Sequence, residues 1–256
     1  MTKTPESSQK AGNTSLTSLP MFYSSPRPLD RSRDGKIKMA RIADFSFARK
    51  TNAIPLLIEE FSTAAAHYPI VFADGELPVP AAVVGLQNDS NLFINADGSW
   101  LQGAYLPAYV RRYPFILMDD PSNKQFVLCI DDTCPQLRED GEFPLFDGDQ
   151  PSAFTKSAME FCGALRRQGD ATDDFVKAMK ENNLLVANNT EIIAPDGTRF
   201  RLSGFLVIDP KKFEALPDNI ILNWRKKGWL PLIYAQLLSS ARWQSLVSLI
   251  QTTAAK

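Results

Sequence analysis

Apolar residues recur at helical spacing near both ends of the chain and in short β-like runs through its middle. Leu57, Phe61, Ala64, Ala65 and Tyr68 share one helix face, so the pattern predicts a helix from Thr51, with Pro55 in its first turn and Pro69 at its stop. Residues 70–72, 81–84 and 91–94 then read as strands, and Asp97-Gly98 is a hairpin signal. Tyr68-Pro-Ile-Val-Phe-Ala-Asp74 resembles Tyr113-Pro-Phe-Ile-Leu-Met-Asp119, which runs on into the apolar residues 125–130. A weak internal duplication, each copy leading from a short helix into strands, is one reading; chance is the other. On either reading, residues 66–134 are the β-rich centre.

Helical spacing returns after the acidic, turn-rich residues 139–151. Ser152 is a good N-cap, and Phe154, Ala158, Phe161, Cys162 and Leu165 fall on one face. A second helix is expected from Thr172, with Asp173 and Asp174 at the positive end of its dipole, ending near Asn182 and Asn183. Residues 191–193 and 200–208 flank a Pro195-Asp-Gly197 turn and predict a hairpin. Residues 219–250 are helical again, broken at Gly228 and Pro231. This order is α+β: a central β-rich region with flanking helices, a late β-hairpin and a helical C-terminus. The small polar residues of 1–20 predict a disordered leader, and 21–256 a single globular domain. Pro26 and Pro28 keep residues 20–28 extended, while Met21, Phe22 and Tyr23 should pack that arm onto the body.

Charge narrows the range of partners. The 256 residues carry 28 basic and 29 acidic side chains, a net −1, so no field of one sign draws the chain to nucleic acid. The longest apolar stretch, 229–238, is far short of the ~20 residues of a spanning helix. No secretory apolar core precedes residue 20, and Cys129, Cys134 and Cys162 are odd in number with no C-x-x-C spacing. These features predict a soluble cytoplasmic protein with reduced, buried thiols; Cys134, at a turn, is the alternative reactive one, although Asp131 and Asp132 oppose its ionisation.

The chemical inventory is short. His67 is the one histidine, so a multi-histidine metal site is impossible, and its place before Tyr68-Pro69 fits a cap or surface role better than catalysis. No phosphate-binding glycine loop occurs. Asp119-Asp120 and Asp131-Asp132 could serve acid–base or cation chemistry, but each pair begins a turn and reads more simply as solvated. The segment from Tyr105 to Pro114 places Arg111 and Arg112 among Tyr105, Tyr109 and Tyr113. Arginine's planar fork suits carboxylate or phosphate, and tyrosine offers an apolar face with a polar tip. The candidate site is therefore Tyr109, Arg111, Arg112 and Tyr113, joined by His67 and Tyr68 if the two repeat units pair. In the alternative, one arginine pairs with a nearby carboxylate and the tyrosines pack. No catalytic residue, metal ligand or cofactor is assigned.

Several motifs together resemble the SapC family of bacterial proteins. They are Phe45-Ser-Phe47 with Thr51-Asn52-Ala53 and Pro55, Tyr68-Pro69 with Val71-Phe72, and Tyr109-Val-Arg-Arg-Tyr-Pro-Phe115. Cys129-Ile-Asp131, Pro144-Leu-Phe146, Gly204-Phe-Leu-Val207 with Asp209, and Ile233-Tyr-Ala235 with Leu237 extend the match from Met21 over most of the chain. The resemblance implies no catalytic motif. Its labels imply a surface-layer component or a peptide permease, and the permease is at odds with the lack of a spanning stretch. The company such proteins keep, outer-membrane receptors and flavin-dependent halogenase-like proteins, implies an accessory part in nutrient uptake or a tailoring pathway. The expected function is thus a non-catalytic binding or accessory protein for a protein partner or small anionic ligand. A surface-layer component, or an enzyme using carboxylates and an arginine clamp, is the alternative.

Overall fold

The computed structural model describes residues 19–120, 125–194 and 197–254; most of the expected leader lies outside them. The strands form several antiparallel sheets. The largest has five strands in the order Leu185–Ile193, Arg199–Ile208, Ile70–Ala73, Val79–Val83, Ala53–Pro55. A second holds Pro26–Pro28, Gln125–Asp131 and Phe115–Asp120, and a third, small one holds Leu137–Arg138, Lys38–Met39 and Phe143–Pro144.

Ile70, Val71 and Phe72 are all buried, which is why this central strand reads as an unbroken apolar run and not an alternating one. The helix Leu230–Ser239 seals its end. Ile70 donates its N–H to Ser239 Oγ at 2.9 Å, and Gln236 Nε2 donates to the Ile70 carbonyl at 3.0 Å. Two buried polar side chains in an apolar helix are explained by that edge, whose backbone groups would otherwise lack partners.

The two Tyr-Pro units share a plan. Each runs from a one-turn helix, Phe61–Ala64 or Ala108–Arg111, through Tyr-Pro into a strand with an antiparallel partner. They nevertheless lie in different sheets and do not pair with each other.

Three local expectations need correction. Residues 53–55 are a strand, and the helix expected from Thr51 contracts to the 3-10 turn Ile58–Glu60 followed by Phe61–Ala64. The sheet claims the earlier backbone, with Leu56 N–H bonded to the Pro80 carbonyl and Val84 N–H to that of Asn52. Residues 91–94 contribute only the isolated bridge between Ile94 and Trp100. Asn91 competes there with a ladder, accepting from Phe93 N–H and donating to the Ala48 carbonyl. The two helices expected around Thr172 are one, Ala153–Glu181, 29 residues long. Thr172 is interior to it: its hydroxyl donates to the Gln168 carbonyl and accepts Ile58 N–H from outside.

The other boundaries match the pattern. Ser152 caps the long helix by accepting Thr155 N–H, and Asn183 leaves it with φ at 56°. The late hairpin forms from Leu185–Ile193 and Arg199–Ile208, with turn residues 195 and 196 outside the described ones. The short helix Pro210–Glu214 follows, then Asp218–Lys226, Leu230–Ser239 and Trp243–Ala254, with Gly228 before Leu230–Ser239 and Pro231 inside the first turn of that helix. Among the described residues no helix is long and apolar enough to cross a membrane.

Two apolar cores result. One gathers Ile54, Phe61, Phe72, Phe175 and Trp229 around the five-stranded sheet; the other gathers Tyr23, Tyr113, Phe115, Ile130 and Leu145 around the second. The long helix serves both, burying Cys162 in the second core and Phe175, Val176 and Met179 in the first.

The N-terminal arm packs on the body as expected. Asp131, fully buried, accepts N–H bonds from Ser24 at 3.0 Å and Ser25 at 2.9 Å, and a hydroxyl bond from Thr133 at 3.0 Å. Burial alone would raise its pKa, but these donors outweigh it and hold the carboxyl below the usual range. Arg27 grips buried Asp34 through two bonds of 2.9 Å, and its Nε donates to Asp132 at 2.6 Å.

Candidate functional site

Where the long helix passes from one core to the other, two clefts open beside it, and Arg112 and Cys162 line both. The first, about 320 Å³, lies between the sheets, with Leu57, Val79, Ile116, Leu117 and Leu165 among its walls and Glu60 and Asp173 at its polar edge. The second, about 440 Å³, is walled by Phe115, Phe143, Phe154 and Phe161. Its lining includes three arginines, Arg41, Arg111 and Arg112, and, among the described residues, no carboxylate.

The turn Ala108–Arg111 aims two of these cations, Arg111 and Arg112. Pro107 precedes it, and the Ala108 N–H is taken by Glu60 Oε1 at 2.8 Å. The same oxygen accepts the Tyr105 hydroxyl at 2.9 Å, while Glu60 Oε2 accepts Leu57 N–H at 2.9 Å. Glu60 is buried and committed to these three donors. Burial, with Glu60 adjacent, pushes the Tyr105 hydroxyl up to about 12, so it stays a neutral donor.

Arg112 follows the turn, half-buried, its guanidinium carbon 3.8 Å from the Tyr109 ring centroid and 5.6 Å from that of Tyr23. Its Nε is buried without a hydrogen-bond partner, and it forms no ion pair among the described residues. Arg111 is exposed, 5.3 Å from the Phe161 centroid, with a 3.4 Å bond to the Tyr105 hydroxyl and likewise no ion pair among the described residues. Arg41 is paired with Glu142 at 3.6 Å. Burial pushes the Cys162 thiol up to about 11 against the opposing pull of Arg112, so it is not a thiolate counter-ion.

The sequence-based candidates separate into two groups. Arg111, Arg112 and Tyr113 line the Phe-walled cleft, and Tyr109 with Arg112 lines the other. Tyr113 is buried, stacked on Phe47 at 4.1 Å, with its hydroxyl 3.3 Å from Asp131. His67 and Tyr68 line neither cleft. Tyr68 is fully buried against Phe93 and donates to the Tyr105 carbonyl. Burial, with Arg242 adding to it, pushes the His67 imidazole down. The acid pairs do not converge either: Asp119 lies opposite Phe126 at one end of the ladder, whereas Asp131 and Asp132 lie past its other end against Pro26 and Ser25 of the arm. Cysteines 129, 134 and 162 are all buried and free. The four phenylalanines of the second cleft went unassigned by sequence reasoning, although Phe154, Ala158 and Phe161 belong to the helix face it identified.

Fold and site together define an α+β protein with ligand-sized, arginine-bearing clefts between two cores. The family model described as SapC matches residues 29–246, and the chain belongs to that family. The arm, residues 19–28, lies before the matched region yet is fastened to it through Asp131. No curated protein and no solved structure matches the chain.

Proposed function

We propose that this is a non-catalytic cytoplasmic binding protein that takes a small anionic ligand at Arg112. One observation carries the reading: a half-buried guanidinium, stacked on tyrosine and fronting a Phe-walled cleft without a carboxylate, forms no ion pair among the described residues. An uncompensated cation at low local dielectric is costly, and a bound anion removes that cost. Cation–π stacking holds the group in place without neutralising it. The separation of Asp119 from Asp131 supports binding over carboxylate catalysis, and the three free, buried thiols are in keeping with the cytoplasm.

Native mass spectrometry of the protein purified gently from its own cells tests this. The expected result is an added small mass that vanishes on denaturation and is missing from Arg112→Leu. A heteromeric mass would instead make the cleft a protein-docking site, and an adduct unchanged in Arg112→Leu would remove Arg112 from the site.

A further inference from the structure

The Phe-walled cleft is polarised along its length. Phe154, Ala158 and Phe161 recur at i, i+4 and i+7 on the long helix, flooring a trough two turns long, roughly 10 Å. Arg111 lies against Phe161 at one end, with Arg112 beside Cys162, the next residue of the helix. Toward the other end Phe143 stacks on Phe154 at 5.2 Å. The unpaired cations Arg111 and Arg112 therefore give way to a phenylalanine-lined floor, with Arg41, neutralised by Glu142, flanking Phe143 at the far end.

Resting on the anion-binding reading above, we propose that the ligand is an acyl-chain monocarboxylate. Its carboxylate faces Arg111 and Arg112, and its chain runs over Phe161, Ala158 and Phe154 toward Phe143. A compact anion would leave that apolar end wet, whereas a chain covers it and gains the burial. The charge state follows from the far side of Arg112, where two carboxylates, Glu60 and Asp173, against one further cation, Arg166, border the neighbouring cleft. A phosphate dianion would be repelled by those carboxylates more than a single charge is. The volume, about 440 Å³, suits one small amphiphile.

Calorimetric titration of the full chain tests this, using dodecanoate below its micelle-forming concentration, butyrate, and the uncharged dodecyl maltoside. One dodecanoate should bind, at least about 100-fold tighter than butyrate and about tenfold tighter than the maltoside. Ala158→Trp fills the trough while leaving both arginines, so it should weaken dodecanoate about tenfold and spare butyrate. Arg112→Leu should weaken both anions. Butyrate equal to dodecanoate, with both lost in Arg112→Leu, would overturn the chain proposal and keep the anion site. Dodecanoate binding indifferent to both variants, or no anion binding, would overturn both. Cooperative thermal unfolding verifies each variant, and Ala158→Trp alone decides the chain if Arg112→Leu fails to fold.

Discussion

Tyr109 lies with its ring face beneath Arg112, its centroid 3.8 Å from the guanidinium carbon. Their three-residue spacing on one turn produces the contact, and Tyr23 from the N-terminal arm approaches the same guanidinium at 5.6 Å. Such stacking contributes about 0.5–2 kcal/mol, more as water is excluded. It fixes the direction of the cation and leaves its charge available to the cleft. Site and arm are therefore physically joined.

Tyr109 is accordingly a positioning residue. Tyr109→Leu should weaken anion binding about tenfold, while Tyr109→Phe, which keeps the ring face, stays close to wild type. Calorimetry on the two variants, with thermal melts as a fold control, separates loss of aim from loss of structure.

The arm's anchor predicts an acid response. Asp131 is held below the usual carboxylate range in the folded state. The native state then binds fewer protons than the unfolded one, so the anchor's stabilisation is complete above about pH 4 and is lost as pH falls through the folded pKa. Asp131→Asn should cost about 3 kcal/mol at pH 7 and flatten the acid limb of the stability profile. Denaturant midpoints from pH 7 to pH 3 measure both effects.

The pair Arg27 and Asp34 predicts strong non-additivity. Asp34 is fully buried and receives two bonds from the guanidinium, through its two terminal nitrogens. Losing Arg27 leaves buried Asp34, among the described residues, only the Asp30 N–H and Arg33 at 3.6 Å, so Arg27→Met should destabilise by about 3 kcal/mol. Asp34→Leu, which leaves Arg27 paired with Asp132, should cost less, and the double variant less than the sum. A double-mutant cycle by urea denaturation gives the coupling.

Two glycines should differ for reasons of space. A Cβ at Gly85 would sit 1.8 Å from the Ser90 carbonyl oxygen, a backbone atom, whereas one at Gly228 meets nothing within 4 Å and suffers only from φ at 72°. Gly85→Ala should cost about 3 kcal/mol, and Gly228→Ala about 1 kcal/mol. Melting temperatures of the pair provide the check.

Local pattern went as far as local physics allows. The Ser152 cap, the face bearing Phe154, Ala158, Phe161 and Cys162, the late hairpin and the C-terminal helices were legible because neighbours in sequence make them. The pairing of Phe205 with Ala73, 132 residues away, was not, since nothing near either residue encodes its partner. That same sheet overrode the helical spacing around Leu57 by claiming backbone groups from Asn52 to Leu56. In the site, Arg111, Arg112, Tyr109 and Tyr113 could be read from one decapeptide. His67 and Tyr68 were attached through the Tyr-Pro similarity, and the sheets carry the two units apart. The phenylalanine walls needed the packing of Phe115 and Phe143 against the helix, a tertiary fact.

Arginine-selective ¹⁵N–¹H NMR reads the central claim most directly. The buried Nε–H of Arg112 is shielded from exchange with water and should give its own resonance, assigned by its loss in Arg112→Leu. Titration with dodecanoate should move that resonance in step with calorimetric saturation, by more than any other arginine except Arg111. A resonance that stays fixed while dodecanoate binds would place the anion elsewhere and contradict the account.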